Sequence, residues 1–118
     1  MTELKTAAQI REMMADKQRA IRSSIDLIEI YDKINNSFNE MPLGKTHLKI
    51  LARSLRKYIN IPDKEWTDSI PFILDELKIM LKDNGFIVRN MYGLSFSEKP
   101  PRVGLLIYWD KEDLPDQD

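Results

Sequence analysis

The sequence predicts an α+β fold that is mainly helical, with three principal helices and a C-terminal β-hairpin packed on the third helix. Apolar residues recur at helical spacing in three segments, and the third segment ends at Asn84 and Gly85. Residues 86–89 and 103–109 are instead rich in branched and aromatic side chains, which favour strands. The 118 residues fit a single domain. In it, residues 1–40 are expected to form an N-terminal helix or helical pair, and residues 45–118 a helix–helix–hairpin core.

The first helix is predicted to begin after Thr6, because Thr6 and Gln9 fit the capping-box pattern. No proline or glycine follows until Pro42, so the helix is predicted to continue to about Phe38. Unbroken, it would be about 48 Å long, whereas a domain of this size has an expected radius of gyration of about 13–14 Å. Either it breaks, near residues 23–24 or 35–36, or it projects and forms a homo-oligomer with a second copy. The apolar stripe of this helix consists of Ile10, Met14, Ile21, Ile25 and Ile28.

A second helix is predicted from Lys45 or Thr46 to about Ile59. An apolar stripe runs along one side of it, and basic residues stack on the other at i, i+3 and i, i+4 spacing. Basic side chains on one helix face can contact a nucleic-acid backbone or a nucleotide. The alternative is an ordinary solvated face, balanced by acids elsewhere such as those of residues 110–118. The candidate binding residues on this basic face are Lys45, Lys49, Arg53 and Arg56.

The third helix is predicted to begin with Ser69 as its N-cap, because Pro71 is tolerated in a first turn but breaks a helix that is already running. Residues 63–68 are expected to add a short helical turn that carries Trp66. Gly85 supplies the left-handed residue that commonly ends a helix. The third helix is apolar on two sides, so we expect it to lie between the sheet and either the N-terminal helix or a partner subunit.

The predicted hairpin contains an unusually long connection, residues 90–102. Hairpin loops usually have two to five residues, and long loops with aromatic content are often functional. Arg89 and Arg102 bracket this loop and Tyr92 lies within it, a combination that suits an anion or a stacked base. The alternative is that both strands extend through Tyr92 and Phe96 and leave only an ordinary turn.

The composition excludes several kinds of site. The chain contains no cysteine, which removes disulfides, thiolate nucleophiles and zinc–cysteine sites. His47 is the only histidine, so a metal site built on it would lack its usual partners. The four glycines are scattered and form no phosphate-binding loop. We therefore expect neither an enzyme activity nor a cofactor nor a metal.

Charge and hydropathy limit the partners and the cellular location that we expect for the protein. The net charge of −1 favours neither nucleic acid nor membrane as a partner, so only a local patch could contact them. Because the first residues are polar and no apolar run approaches the roughly 20 residues that cross a bilayer, we expect neither a signal peptide nor a membrane span. A cytoplasmic protein without membrane contact is expected.

Three short motifs lie near the two ends of the chain. They are Thr6-Ala7-Ala8 with Arg11, residues 81–88 (LKDNGFIV) and residues 105–109 (LLIYW). In these motifs the chain resembles small, mostly uncharacterised accessory proteins of tailed bacteriophages. The resemblance implies a phage product, located in the host cytoplasm, that acts by stoichiometric binding: it would inhibit a host enzyme, block a defence system or sequester a signalling nucleotide. It assigns no catalytic residues.

Two functions from different classes follow as hypotheses. The first is a non-enzymatic binding protein that uses Arg89, Tyr92 and Arg102, together with the basic face, to hold a host protein or a small nucleotide. The second is a winged-helix-like DNA-binding regulator, since helix, helix and hairpin occur in the required order and residues 90–102 could form the wing. A structural component of a virion is a third possibility.

Overall fold

A computed structural model describes residues 3–93 and 100–114. The helices are α1 (Ala7–Ser24), α2 (Leu27–Asn39) and α3 (Asp63–Asp83), and the strands are β1 (His47–Leu51), β2 (Ile87–Tyr92) and β3 (Arg102–Tyr108). A 3₁₀ helix, Ala52–Tyr58, follows β1, and a 3₁₀ turn, Lys111–Asp113, follows β3. The predicted α+β fold is confirmed, and the strands pack against the third helix.

The N-terminal helix breaks between α1 and α2, close to the first of the two predicted positions. The capping box of Thr6 is present at the start of α1. At its end the helical ladder stops, because the backbone of Ile25 forms a β-bridge with Ile59. The Asp26 N–H donates to the Tyr58 carbonyl (2.8 Å), and the Asp26 side chain caps α2. Tertiary hydrogen bonds therefore replace the helical ones that a continuous helix would have made here.

The predicted second helix is wrong for residues 47–51, and residues 52–58 form a 3₁₀ helix rather than an α-helix. Residues 47–51 form β1, and the following residues form a 3₁₀ helix whose Ala52 and Leu55 are buried. Strand and helix patterns are hard to distinguish in so short a segment. A strand that buries Ile50 and exposes Lys49 places its apolar residues at positions that also fit a helical stripe. Pairing with a strand more than fifty residues away decides between them.

The sheet has three antiparallel strands in the order β1-β3-β2, so the predicted hairpin is part of a larger sheet. β3 is the central strand: Leu106 lies opposite Lys49 of β1 and Arg89 of β2. Side chains alternate between two faces, which we call the inner face, packed on α3, and the outer face. The core consists of buried residues from the inner face, from α2, from the 3₁₀ helix and from α3, among them Ile30, Ile50, Leu55, Ile59, Ile73, Leu74, Leu77, Leu105 and Ile107.

The start of α3 differs from the prediction, and its end agrees with it. The helix begins at Asp63, and Ser69 is a buried residue within it rather than its N-cap. Pro71 lies inside the helix, where its missing N–H removes one helical hydrogen bond. At the C-terminus, Gly85 has φ +89°. Its N–H and that of Phe86 donate to carbonyls of the last turn at 3.0 and 3.1 Å, the pattern of a Schellman motif.

The expected sandwiching of α3 is confirmed. One side of α3 packs on the sheet, and the other is contacted by α1 and α2. Arg22 of α1 lies over the ring of Phe72 and donates to Glu76 (3.0 Å). From α2, the hydroxyl of Tyr31 lies 3.1 Å from the sulfur of Met80.

Helix α1 also projects from the body of the domain. None of its 18 residues is buried. The molecule measures 65 × 34 × 25 Å, with a radius of gyration of 17.0 Å, against about 13–14 Å for a compact domain of this length. The N-terminal helix thus breaks, as the first alternative predicted, and its first part also projects, as the second alternative predicted.

Gly104 allows β1 to lie against β3. A Cβ atom at this position would overlap the carbonyl oxygen of Ile50 and approach the Cα of Leu51 to 3.1 Å. We predict that Gly104→Ala lowers the free energy of unfolding by about 1–3 kcal/mol, because backbone atoms must move to make room. Urea unfolding followed by circular dichroism measures this loss.

Gly44→Ala is the comparison variant. Gly44 has φ +95°, but a Cβ there meets no atom within 4 Å, so only the backbone strain is added. A Gly104→Ala protein as stable as the parent would contradict the close approach of β1 and β3.

Candidate functional site

A β-bulge determines where the predicted ligand-binding arginine lies. Met91 of β2 pairs with Gly104 of β3, but the next residue, Tyr92, pairs with Arg102, so Val103 is an extra residue. An extra residue reverses the alternation of side chains beyond it. Arg102 is therefore directed to the inner face, toward α3.

The Arg102 guanidinium is held in place by three acceptors. Its Nη1 donates to Asp75 Oδ1 (2.8 Å) and to Asn90 Oδ1 (3.3 Å), and its Nη2 donates to the Pro71 carbonyl (2.6 Å). The Arg102 side chain is mostly buried. These bonds join the start of β3 to β2 and α3, which makes Arg102 a structural tie between these elements.

Of the other two predicted loop residues, Tyr92 lies beside Arg102, with which it pairs across β2 and β3, and Arg89 does not. Arg89 lies on the outer face, where Leu106 separates it from Lys49. Tyr92 is exposed and its hydroxyl lies 3.4 Å from Asn90 Nδ2. Arg89 and Arg102 are thus on opposite faces of the sheet. β2 extends to Tyr92, as the extended-strand alternative predicted, while Phe96 and the rest of residues 94–99 lie outside the described residues.

The four predicted basic residues do not share one helix face. Lys45 lies in the turn before β1, Lys49 lies on the outer face of β1, and Arg53 lies on the 3₁₀ helix, all three exposed. Arg56 instead stabilises the turn that leads into α3. It donates to the carbonyls of Ile59 and Ile61 (both 2.8 Å), pairs with Asp63 (2.7 Å) and lies over the ring of Trp66.

Two of the predicted residues, Arg53 and Arg102, line one pocket of about 360 Å³. Its remaining lining residues are Leu51, Ala52, Trp66, Ile70, Pro101 and Val103. The volume is at the lower end for small-molecule sites. Because the Arg102 guanidinium already makes three hydrogen bonds within the chain, Arg53 is the more accessible of the two cations.

A second surface, which the sequence did not indicate, combines aromatic rings and exposed apolar side chains. We call it the aromatic groove, a depression of about 440 Å³ lined by Phe38, Met41, Pro42, Leu43, Gly44, Lys45, Phe86 and Trp109. The ring of Phe38 stacks on Phe86 (5.5 Å between centroids) and meets Trp109 edge-on (5.7 Å). Leu43 is fully exposed, and Trp109 is 42% exposed.

The groove forms where three elements end together. Phe38 lies in the last turn of α2, Phe86 follows the glycine that ends α3, and Trp109 follows β3. One sequence signal was available, since each of these aromatic residues stands at an element boundary. The signal was insufficient, because only the sheet topology brings the three boundaries to the same end of the domain.

The side chains on these surfaces are suited to binding another molecule. The groove offers apolar and aromatic area with one lysine at its rim. His47 packs on the ring of Tyr108 (5.1 Å) and its Nδ1 lies 3.1 Å from the Thr46 hydroxyl. Within residues 3–93 and 100–114 there is no group of three or more side chains that could hold a metal ion.

No helix in the described part of the chain is long and apolar enough to cross a membrane. Comparison with protein-family models, with curated proteins and with solved structures finds no match.

We predict that Arg102→Ala lowers the free energy of unfolding by about 1–2 kcal/mol, because three acceptors lose a charged donor and Asp75 is partly screened by solvent. Arg102→Lys should not restore the loss, since one ammonium cannot reproduce the fork of the guanidinium. Urea unfolding measures both variants. Arg53→Ala is the matched control on the exposed 3₁₀ helix, with an expected change within about 0.5 kcal/mol. Equal effects of Arg102→Ala and Arg53→Ala would contradict the structural role of Arg102.

Proposed function

We propose that this protein is a non-enzymatic binding protein that acts by stoichiometric binding, and that the aromatic groove is its contact site for a partner protein. In keeping with the resemblance to phage accessory proteins, the partner would be a host or defence factor in the host cytoplasm. The observation that carries the proposal is the exposure of Leu43 and Trp109 beside a stacked pair of rings.

The groove has the composition of a protein-binding hot spot. Aromatic residues and methionine are enriched at the centres of protein interfaces, where a few anchors supply most of the affinity. Leu43 gains nothing from the fold where it stands, since its side chain is fully exposed. Burial of such a side chain against a partner stabilises a complex by about 1.5–3 kcal/mol.

A protein fits this groove better than a nucleotide does. A phosphate needs cations or backbone donors, and Lys45 is the one charged residue among those that line the groove. A signalling nucleotide would instead require one of the two pockets that Arg53 lines, the one beside Arg102 or the one beside Arg56 and Lys57. Mass spectrometry of small molecules retained by the purified protein distinguishes the two, since retention lost in Arg53→Ala but unchanged in Leu43→Glu would favour the nucleotide.

We predict that a photo-crosslinking amino acid at position 43 captures a partner in bacterial cells, and that the purified partner binds the parent protein at a fixed ratio. Leu43→Glu should weaken that binding about 30-fold or more, because a carboxylate would have to be buried in an apolar contact. Isothermal titration calorimetry gives both the ratio and the affinity.

Ile28→Glu is the control for the binding experiment, because Ile28 is 73% exposed on α2 and does not line the groove. Equal binding by Leu43→Glu and the parent protein would show that the aromatic groove is not the contact site.

A DNA-binding regulator is the second candidate, and the topology favours it. The order α2, β1, 3₁₀ helix, α3, β2, β3, with β1 beside β3, matches the connectivity of a winged-helix domain. The 3₁₀ helix and α3 would then be the helix–turn–helix, with α3 in the major groove. The first turns of α3 oppose this, because they expose Glu65 and Asp68 against Lys64, while the carboxylate of Asp63 is paired with Arg56. A helix with this charge repels the phosphate backbone.

Mobility-shift assays over a range of salt concentrations test the second candidate. A DNA-binding protein loses affinity as salt rises, and Arg53→Ala would reduce the slope by about one if Arg53 contacts a phosphate. We expect no salt-dependent shift. A salt-dependent shift that Arg53→Ala reduces would favour the regulator over the protein-binding function.

A further inference from the structure

We propose that the 3₁₀ helix carries a second binding site, for a small nucleoside phosphate. The site consists of two adjoining pockets that share Arg53. The first, which we call the basic pocket, would hold the phosphates, and the second, the apolar pocket, would hold the base. Neither pocket shares a lining residue with the aromatic groove, so this inference goes beyond the proposed function and is tested independently of it.

The geometry of the 3₁₀ helix concentrates positive charge on its outward side. Residues three apart eclipse each other in a 3₁₀ helix, so residues 52, 55 and 58 form one row, of which Ala52 and Leu55 are buried. The two remaining rows face outward, and they hold three cations, one serine and no acid. These residues are Arg53, Ser54, Arg56 and Lys57. From the first to the last of them the helix advances only about 8 Å, so the charges lie close together.

Two of these three cations are not neutralised by the described part of the chain. Arg56 pairs with Asp63 (2.7 Å). No carboxylate of residues 3–93 or 100–114 lies within ion-pair distance of Arg53 or Lys57. Like charges this close on one helix repel each other. An anion bound between them removes that repulsion.

The basic pocket has the size and the hydrogen-bond donors of a phosphate site. It is a depression of about 660 Å³ between the two outward rows and the turn of residues 59–61, a volume within the range of small-molecule sites. The Ser54 hydroxyl and the Asn60 amide line it beside the cations. Guanidinium, ammonium, hydroxyl and amide groups all donate to phosphate oxygens. Asp63 is the one acid among the lining residues.

The apolar pocket supplies the surface for a base. It is the pocket of about 360 Å³ that Arg53 and Arg102 line, and Trp66, Ile70 and Pro101 contribute apolar area to it. The two pockets adjoin, because Arg53 lines both. In addition, the Arg56 guanidinium of the basic pocket lies 5.0 Å from the centroid of the Trp66 ring. A ring attached to a phosphate in the basic pocket therefore reaches the indole, and bases gain affinity by stacking on aromatic side chains.

Charge favours a small ligand over a nucleic-acid strand. Beyond the basic pocket, the first turns of α3 expose Glu65 and Asp68 against Lys64, and these acids repel an extended phosphate backbone. A nucleoside phosphate confines its negative charge to the basic pocket. Because Arg53 and Lys57 are exposed, the ligand exchanges with solvent, and titration detects it better than retention during purification does.

Titration with ADP, followed by tryptophan fluorescence, tests the site. The chain has two tryptophans, so Trp109→Phe leaves Trp66 as the only reporter. ADP should change the Trp66 emission with a dissociation constant below about 1 mM. Adenosine and pyrophosphate, the two halves of the probe, should displace ADP only at concentrations about 10-fold higher or more, because each fills one pocket. No change up to about 5 mM ADP, or either half binding as tightly as ADP, would overturn the proposal.

Arg53→Ala should weaken ADP binding about 10-fold or more, because the residue lines both pockets. Lys49→Ala is the matched control. It removes the same charge from an exposed residue of β1 that lines neither pocket, and it should change the affinity less than about twofold, since salt screens distant charges. Circular dichroism confirms that both variants stay folded. Equal losses would show that ADP responds only to the overall charge and would overturn the site.

Two further measurements separate this site from the other binding functions. Single-stranded DNA of about ten thymidines should compete with ADP poorly. Competition by this DNA at lower concentrations than ADP itself would identify a nucleic-acid strand as the ligand and overturn the proposal.

The aromatic groove and the nucleoside phosphate site fail separately. Leu43→Glu should leave ADP binding unchanged, and Arg53→Ala should leave capture through position 43 intact. Loss of ADP binding in Leu43→Glu would place the ligand at the aromatic groove and overturn the assignment to the 3₁₀ helix.

Discussion

The pairing of β1 with β3 is the interaction on which the rest of the structure depends. Without β1, β3 would be an edge strand of a two-stranded hairpin, and that hairpin would depend on α3 for its stability. With it, β3 becomes a central strand whose Leu105 and Ile107 are completely buried under α3. Gly104 permits the pairing, because no larger residue fits against the β1 backbone there. The bridge that ends α1 then docks the N-terminal helices onto the same core.

The sheet also decides which side chains remain available for binding. It places Arg89 and Arg102 on opposite faces. The bulge at Val103 directs the Arg102 guanidinium toward α3, where it donates to the Pro71 carbonyl. Among the described residues, the fold leaves exposed apolar side chains in the aromatic groove at one end of the sheet and on α1 at Ile10 and Met14, and the basic pocket lined by Arg53, Arg56 and Lys57. The exposed apolar and aromatic side chains of the aromatic groove are what supports the proposed binding function.

Local features of the fold were predictable from the sequence, and features set by distant contacts were not. The Thr6 capping box and the Gly85 helix end depend on a few neighbouring residues, so the sequence shows them directly. Strand β1 depends on a partner far along the chain, and its short apolar pattern also fits a helix. The orientation of Arg102 depends on one extra residue in β3, which no periodicity reveals. The aromatic groove escaped prediction for the same reason, since its rings meet only when the topology is known.

The most direct test of the β1–β3 pairing is an NMR measurement of nuclear Overhauser effects in the segment that the sequence predicts to be helical. The pairing predicts cross-strand effects between backbone protons of Lys49 and Leu106 and between those of Ile50 and Leu105, which lie opposite each other. Continuous helical effects between residues three apart across residues 45–59, with no contact to β3, would contradict it. The central strand, the position of Gly104 and the division of the surface into inner and outer faces would then all be wrong.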